Sequence, residues 1–119
     1  MKDIELSELM LIAKAAARLA GKNLKDNYNN LNVTKLEEGR DIKLKADFES
    51  EKLIVEYLSS QSDYSILGEE TGKSSNVLKD LFWVVDPLDG TANYNRGIPI
   101  CAVSIALVEK DNPILGVIY

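Results

Sequence analysis

The sequence contains no histidine, a single cysteine and a single tryptophan. Without histidine there is no imidazole base, no Ser-His-Asp or Cys-His catalysis, and no His-ligated metal. With Cys101 alone there is no intrachain disulfide and no Cys-based zinc site. No apolar run approaches the roughly 18–20 residues that a membrane span needs. The N-terminus, MKDIELSEL, is charged and amphipathic rather than signal-like. Basic residues are outnumbered, 14 Lys+Arg against 19 Asp+Glu, for a net charge of −5. They are also scattered, which argues against a nucleic-acid partner, because phosphate neutralisation needs clustered cations. The expectation is a cytoplasmic protein without membrane or direct nucleic-acid binding. Its chemistry must rest on Asp, Glu, Lys, Tyr, Thr or Ser.

What is present is ordinary for a globular chain. Its 119 residues, 45% hydrophobic and 28% charged, allow one domain, residues 1–119. Leu6, Leu9, Met10, Ala13, Ala16, Ala17, Ala20 and Leu24 fall on one helical stripe and predict a helix over 4–27. The alanines on that stripe predict close packing against a flat neighbour. Val33–Leu36 and Arg40–Lys45 read as short strands around a Glu38-Gly39 turn. A second helix follows over 48–60, with Asp47 in the N-cap place. Tyr64–Leu67 reads as a strand and 71–80 as a polar loop. Leu81–Val85 reads as a strand buried on both faces. Residues 92–99 read as irregular, and Ile100–Val108 with Ile114–Tyr119 as a hairpin. The apolar run ILGVIY calls for an edge partner, and the chain reads as the front part of a larger fold.

Asp86-Pro87-Leu88-Asp89-Gly90-Thr91 directly follows the most apolar strand. Pro87 fixes φ and Gly90 permits a turn. Together they can hold both carboxylates and the Leu88 carbonyl toward one point, in the all-oxygen chemistry that Mg²⁺ prefers. Taken by itself, Pro-x-Asp-Gly is more often a plain turn; the buried strand before it changes that weighting. Glu69 also follows a short strand, as a second acidic strand end. Trp83 and Cys101 read as core residues, and Tyr94 and Arg96 as a surface loop beside the acidic turn. Lys43 and Lys45 read as solvated strand residues.

Three segments, GEE (68–70), WVVDPLDGT (83–91) and NYNRGIPICAVSIAL (93–107), resemble the inositol monophosphatase family. DIKLKAD (41–47), followed by Glu51, is similar to that family's D-x-V-T-x-A-D segment. Lys43 and Leu44 depart from it where the family has Val and Thr. The likeness is strongest to the bacterial branch that includes the extragenic suppressor proteins. It implies an α/β fold: the N-terminal half of a fructose-bisphosphatase-like αβαβα sandwich, two long helices on a mostly antiparallel sheet. The C-terminal half, with the family's WD-containing motif, is absent.

The implied activity is that of a lithium-sensitive, Mg²⁺-dependent phosphatase. It would hydrolyse inositol 1-phosphate or a similar sugar phosphate, a small-molecule phosphate monoester, and would be incomplete in this chain alone. By resemblance, Glu69, Asp86, the Leu88 carbonyl and Asp89 would bind metal. Gly90 and Thr91 would receive the substrate phosphate. Asp47, Glu69 and Thr91 would orient or activate the attacking water. A homodimer, or a complementary C-terminal fragment, is the expected partner. The alternative is a non-catalytic truncated or split protein that acts through protein–protein binding.

Overall fold

A computed structural model describes residues 1–28, 42–69, 72–73 and 79–119, with side chains of the second helix described from Lys45 onward. Helix α1 spans Asp3–Asp26 and α2 spans Ile42–Gln61. They are followed by β1 (Ser65–Gly68), β2 (Gly72–Lys73), β3 (Leu81–Asp89), α3 (Thr91–Asn95), β4 (Ala102–Glu109) and β5 (Asn112–Ile118). Among the described residues the strands form one sheet in the order β2-β1-β3-β4-β5. Only the β1–β3 pair is parallel. The others are antiparallel. This is the mixed α/β architecture expected, two long helices on a mostly antiparallel sheet.

The alanine stripe behaves as its pattern demands. Ala13, Ala16, Ala17 and Ala20 are completely buried, flanked by Leu9 and Leu24. Small side chains let the α1 backbone approach α2 and the sheet closely. From α2, Ala46, Ile54 and Leu58 point into the same core. The sheet presents Ile66, Trp83, Val85, Val103, Ile105, Leu107 and Leu115 to the helices. The indole N–H of Trp83 donates to Ser62 Oγ at 3.0 Å, so the largest core ring keeps its polar atom satisfied.

Several expectations need correction. The strand read over Arg40–Lys45 is helical from Ile42 onward. The alternation Ile-Lys-Leu-Lys is too short to separate period 2 from period 3.6. Ala46, Ser50, Ile54 and Leu58, at i, i+4 spacing and all buried, decide for a helix. Asp47 therefore lies inside α2 rather than capping it. The strand read over Val33–Leu36 and the turn at Glu38-Gly39 lie outside the described residues. The 71–80 loop contains the short strand β2.

Strand β3 is not buried on both faces by the described residues. Its burial alternates, because α1 and α2 both lie on the Trp83/Val85 face, and Phe82 and Val84 stay half-buried on the other. The irregular segment 92–99 contains helix α3, whose turn swings Tyr94 inward. Tyr94 is 2% exposed, its hydroxyl donates to Leu24 O at 2.6 Å, and its ring meets Tyr28 edge-on. Cys101 is exposed rather than core, because it precedes β4 and stands beside Gly90. The hairpin forms, with β4 beginning at Ala102 rather than Ile100 and β5 at Asn112 rather than Ile114. Lys110 (φ 48°) and Asp111 (φ 66°) form the two-residue, left-handed turn that matches strand twist.

Candidate active site at two strand ends

Two strands deliver acids to one end of the sheet. The parallel β1–β3 pairing aligns Gly68 with Val85, so Glu69 and Asp86 follow side by side. The Glu69 amide donates to Val85 O at 3.3 Å, which extends the pairing to the acidic residue itself. Glu69 and Asp86 line a shallow hollow of about 390 Å³, floored by Val84 and Ala106 and bordered by Ser104. Carboxyl ends of neighbouring parallel strands are the common ligand position in open α/β sheets.

A β-bulge then controls where Asp89 goes. Asp86 pairs with Ser104 and Asp89 with Ala102, so β3 carries one residue more than β4 between these pairs. Pro87, which has no amide hydrogen, sits in the interrupted ladder. Pro87 and Leu88 are consecutively buried where strict alternation would bury only one. The extra residue reverses the parity of the strand. Asp89 thereby emerges opposite Ala102, on the side that Asp86 occupies, instead of entering the core.

Beyond the bulge, Gly90 adopts φ 86°, ψ 34° and opens α3. A Cβ there would lie 2.7 Å from Ile100 O. Both the backbone angle and the close approach therefore require glycine. Thr91 follows, and its hydroxyl lies 3.0 Å from Leu88 O and 3.3 Å from Asp47 Oδ2. Asp47 is only 1% exposed and reaches this point from α2. The structure thus brings Asp47, Leu88 and Thr91 together, and separately brings Glu69 beside Asp86. Asp89 stays exposed and outside the Glu69–Asp86 hollow.

The convergence of Glu69, Asp86 and Asp89 on one point is not found. Among the described residues, no group of three or more Asp, Glu, Cys or His side chains is close enough to hold a metal ion. The Glu69–Asp86 pair still fits one Mg²⁺, which commonly takes one or two carboxylates and keeps several waters. The donors are hard oxygens, and the hollow between them is open to solvent.

Sequence reasoning assigned no role to Ser50 or Glu51. Both are completely buried beside Asp47 on α2. Ser50 donates to Pro87 O at 2.7 Å, and the Glu51 carboxylate fills the space where a Gly68 side chain would begin. A signal was available: polar residues at 47, 50 and 51 share one helix face with buried Ala46, Ile54 and Leu58.

Residues 5–119 match the Inositol monophosphatase family, and the chain belongs to that family. It is 38% identical over 117 residues to a fructose-1,6-bisphosphatase/inositol-1-monophosphatase of Aquifex aeolicus, covering 96% of this chain and 44% of that protein. It is 43% identical over 107 residues to the Nus factor SuhB of Xylella fastidiosa, covering 87% and 38%. The fold superposes on the inositol monophosphatase from Anabaena (Nostoc) sp. with a TM-score of 0.80 at 34% identity, over 97% of this chain and 40% of that one. For the extragenic suppressor protein SuhB from Bartonella henselae the TM-score is 0.76 at 36% identity, over 94% and 43%. The chain therefore spans about two fifths of the length of these relatives and corresponds to the N-terminal part of their fold.

Proposed function

We propose that this chain supplies the cation-holding and phosphate-facing part of a metal-dependent phosphomonoesterase, acting on inositol 1-phosphate or a similar sugar phosphate. The observation that carries the reading is the in-register parallel pairing of β1 with β3, which sets Glu69 beside Asp86 over one hollow. Glu69 and Asp86 are the residues that would hold Mg²⁺; the Leu88 carbonyl and Asp89, further oxygen ligands by the family likeness, lie outside their hollow. A bound divalent cation supplies charge neutralisation at the phosphoryl oxygens and acidifies water near neutral pH, the chemistry a chain without histidine needs. Thr91, poised between Asp47 and Leu88 O, orients the attacking water, and Asp47 accepts the hydrogen bond behind it. Gly90 and Thr91 offer backbone amides to the anionic phosphate. Lithium sensitivity and a cytoplasmic location belong to the same reading, as does the assignment of residues 1–119 to a single domain.

The test is calorimetric titration of Mg²⁺ into the chain, paired with phosphate release from inositol 1-phosphate. Binding is expected in the wild type. It should weaken by about tenfold or more in Asp86→Asn and in Glu69→Gln. Affinity unchanged by both substitutions removes the pair from the site. Turnover by these 119 residues alone is expected to be weak or nil, because the chain spans about two fifths of its relatives and an open site leaves water to weaken each electrostatic contact. A second reading, binding without catalysis, is favoured by the half-buried apolar face around Phe82 and Val84. A homodimer or a complementary C-terminal fragment would cover it.

A further inference from the structure

We infer that Ser50 and Glu51 are positioning residues that fix the geometry of both acidic strand ends from the α2 side. The inference rests on the reading of Glu69 and Asp86 as a cation-holding pair.

Asp47, Ser50 and Glu51 stand at i, i+3 and i+4 and so share one face of α2. All three are buried, at 1%, 0% and 0% exposure. Each meets a different part of the site. Asp47 meets the Thr91 hydroxyl, Ser50 meets the Pro87 carbonyl, and Glu51 meets Gly68.

The Ser50 contact acts on Asp86 through one rigid unit. The Pro87 carbonyl and the Leu88 amide are the two ends of a single planar peptide group. Ser50 Oγ donates to the carbonyl end at 2.7 Å, and the amide end donates to Asp86 Oδ1 at 3.3 Å. Holding the carbonyl therefore holds the donor that orients the Asp86 carboxylate. The group lies within the β-bulge, where the regular ladder cannot hold it.

The Glu51 contact acts on Glu69 through Gly68. An ideal Cβ at Gly68 would lie 2.6 Å from Glu51 Oε1 and 2.9 Å from Oε2. Gly68 thus lets a buried carboxylate press against the strand one residue before Glu69. Glu51 also has hydrogen-bonding or electrostatic interactions of its own. Residues that orient metal ligands commonly change affinity by about 10–100-fold when removed.

The test combines amide hydrogen exchange with Mg²⁺ titration on the full chain, comparing wild type, Ser50→Ala and Glu51→Gln. Exchange at the Glu69 and Leu88 amides is expected to accelerate about tenfold while Ile105 and Leu107 keep their rates. Mg²⁺ affinity is expected to fall about tenfold in both variants. Acceleration spread evenly through β4, or unchanged rates at Glu69 and Leu88, overturns the positioning role. Should the wild type fail to bind Mg²⁺, the cation-holding reading falls, and the exchange rates still decide whether α2 fixes these strand ends.

A steric variant guards against a fold lost through burial changes. Gly68→Ala is expected to reproduce the Glu51→Gln exchange pattern. Adding Glu51→Asp, which withdraws the carboxylate by one methylene, is expected to restore the rate at Glu69. Failure of that restoration overturns the Glu51–Gly68 contact.

Discussion

Single residues set the limits of this site. Gly90 combines a left-handed backbone with a neighbour 2.7 Å from any added Cβ. Gly90→Ala should destabilise the chain by about 2 kcal/mol or more, read by urea denaturation. Tyr94 carries a pH signature. Burial pushes its phenol up to about 12 from an ordinary 10, with the Cys101 side chain nearby adding to the rise. The folded protein thus prefers the neutral phenol. This stabilisation is complete below pH 10 and is lost as pH rises from 10 toward 12. Tyr94→Phe should lower stability at pH 7, because the hydrogen bond to Leu24 O is lost. It should also flatten the fall in melting temperature between pH 9 and pH 12. An unchanged alkaline slope would remove Tyr94 as its source.

At the level of elements, what was legible followed from pattern length. The 24-residue helix α1 repeats its apolar spacing over many turns, and its position was readable almost to the residue. The hairpin was readable as two long strands about a polar turn, although its strands start two residues away from the expected Ile100 and Ile114, at Ala102 and Asn112. The start of α2 was not readable, because Ile42–Lys45 offers four residues that satisfy two periods equally well. The burial of Tyr94 depends on α3, whose five residues are too few for any periodicity, and the exposure of Cys101 on β4 starting only at Ala102. Within the site, the acids and the turn were visible as letters, whereas the α2 contacts of Ser50 and Glu51 join residues 37 and 17 positions apart. The alanine stripe yields its own prediction. Ala16→Leu or Ala17→Leu forces extra methylenes between α1 and the layers it touches, and should cost about 1–3 kcal/mol in thermal or chemical denaturation. Substitution of exposed Leu11 by Ala on the opposite side of α1 should change stability by less than about 0.5 kcal/mol.

For the whole molecule, the sheet has one face packed on two helices, while the other, around Phe82, Val84, Ala106 and Val108, is half-buried. A partner on that face, whether a second copy or a complementary fragment, should stabilise the chain in proportion to its concentration. Melting temperature measured across a hundredfold range of protein concentration checks the homodimer. A constant value with a monomeric mass removes it. No described helix is long and apolar enough to cross a membrane.

The bulge in β3 makes spacing as important as composition. Asp86 and Asp89 share a side of the sheet only because one additional residue lies between them relative to β4. A β3 of unchanged sequence that paired regularly with β4, without the bulge, would keep every acid, the proline and the glycine. It would nonetheless turn the second aspartate toward the oily layer beneath, so a relative with the same letters and a regular ladder would not share this geometry.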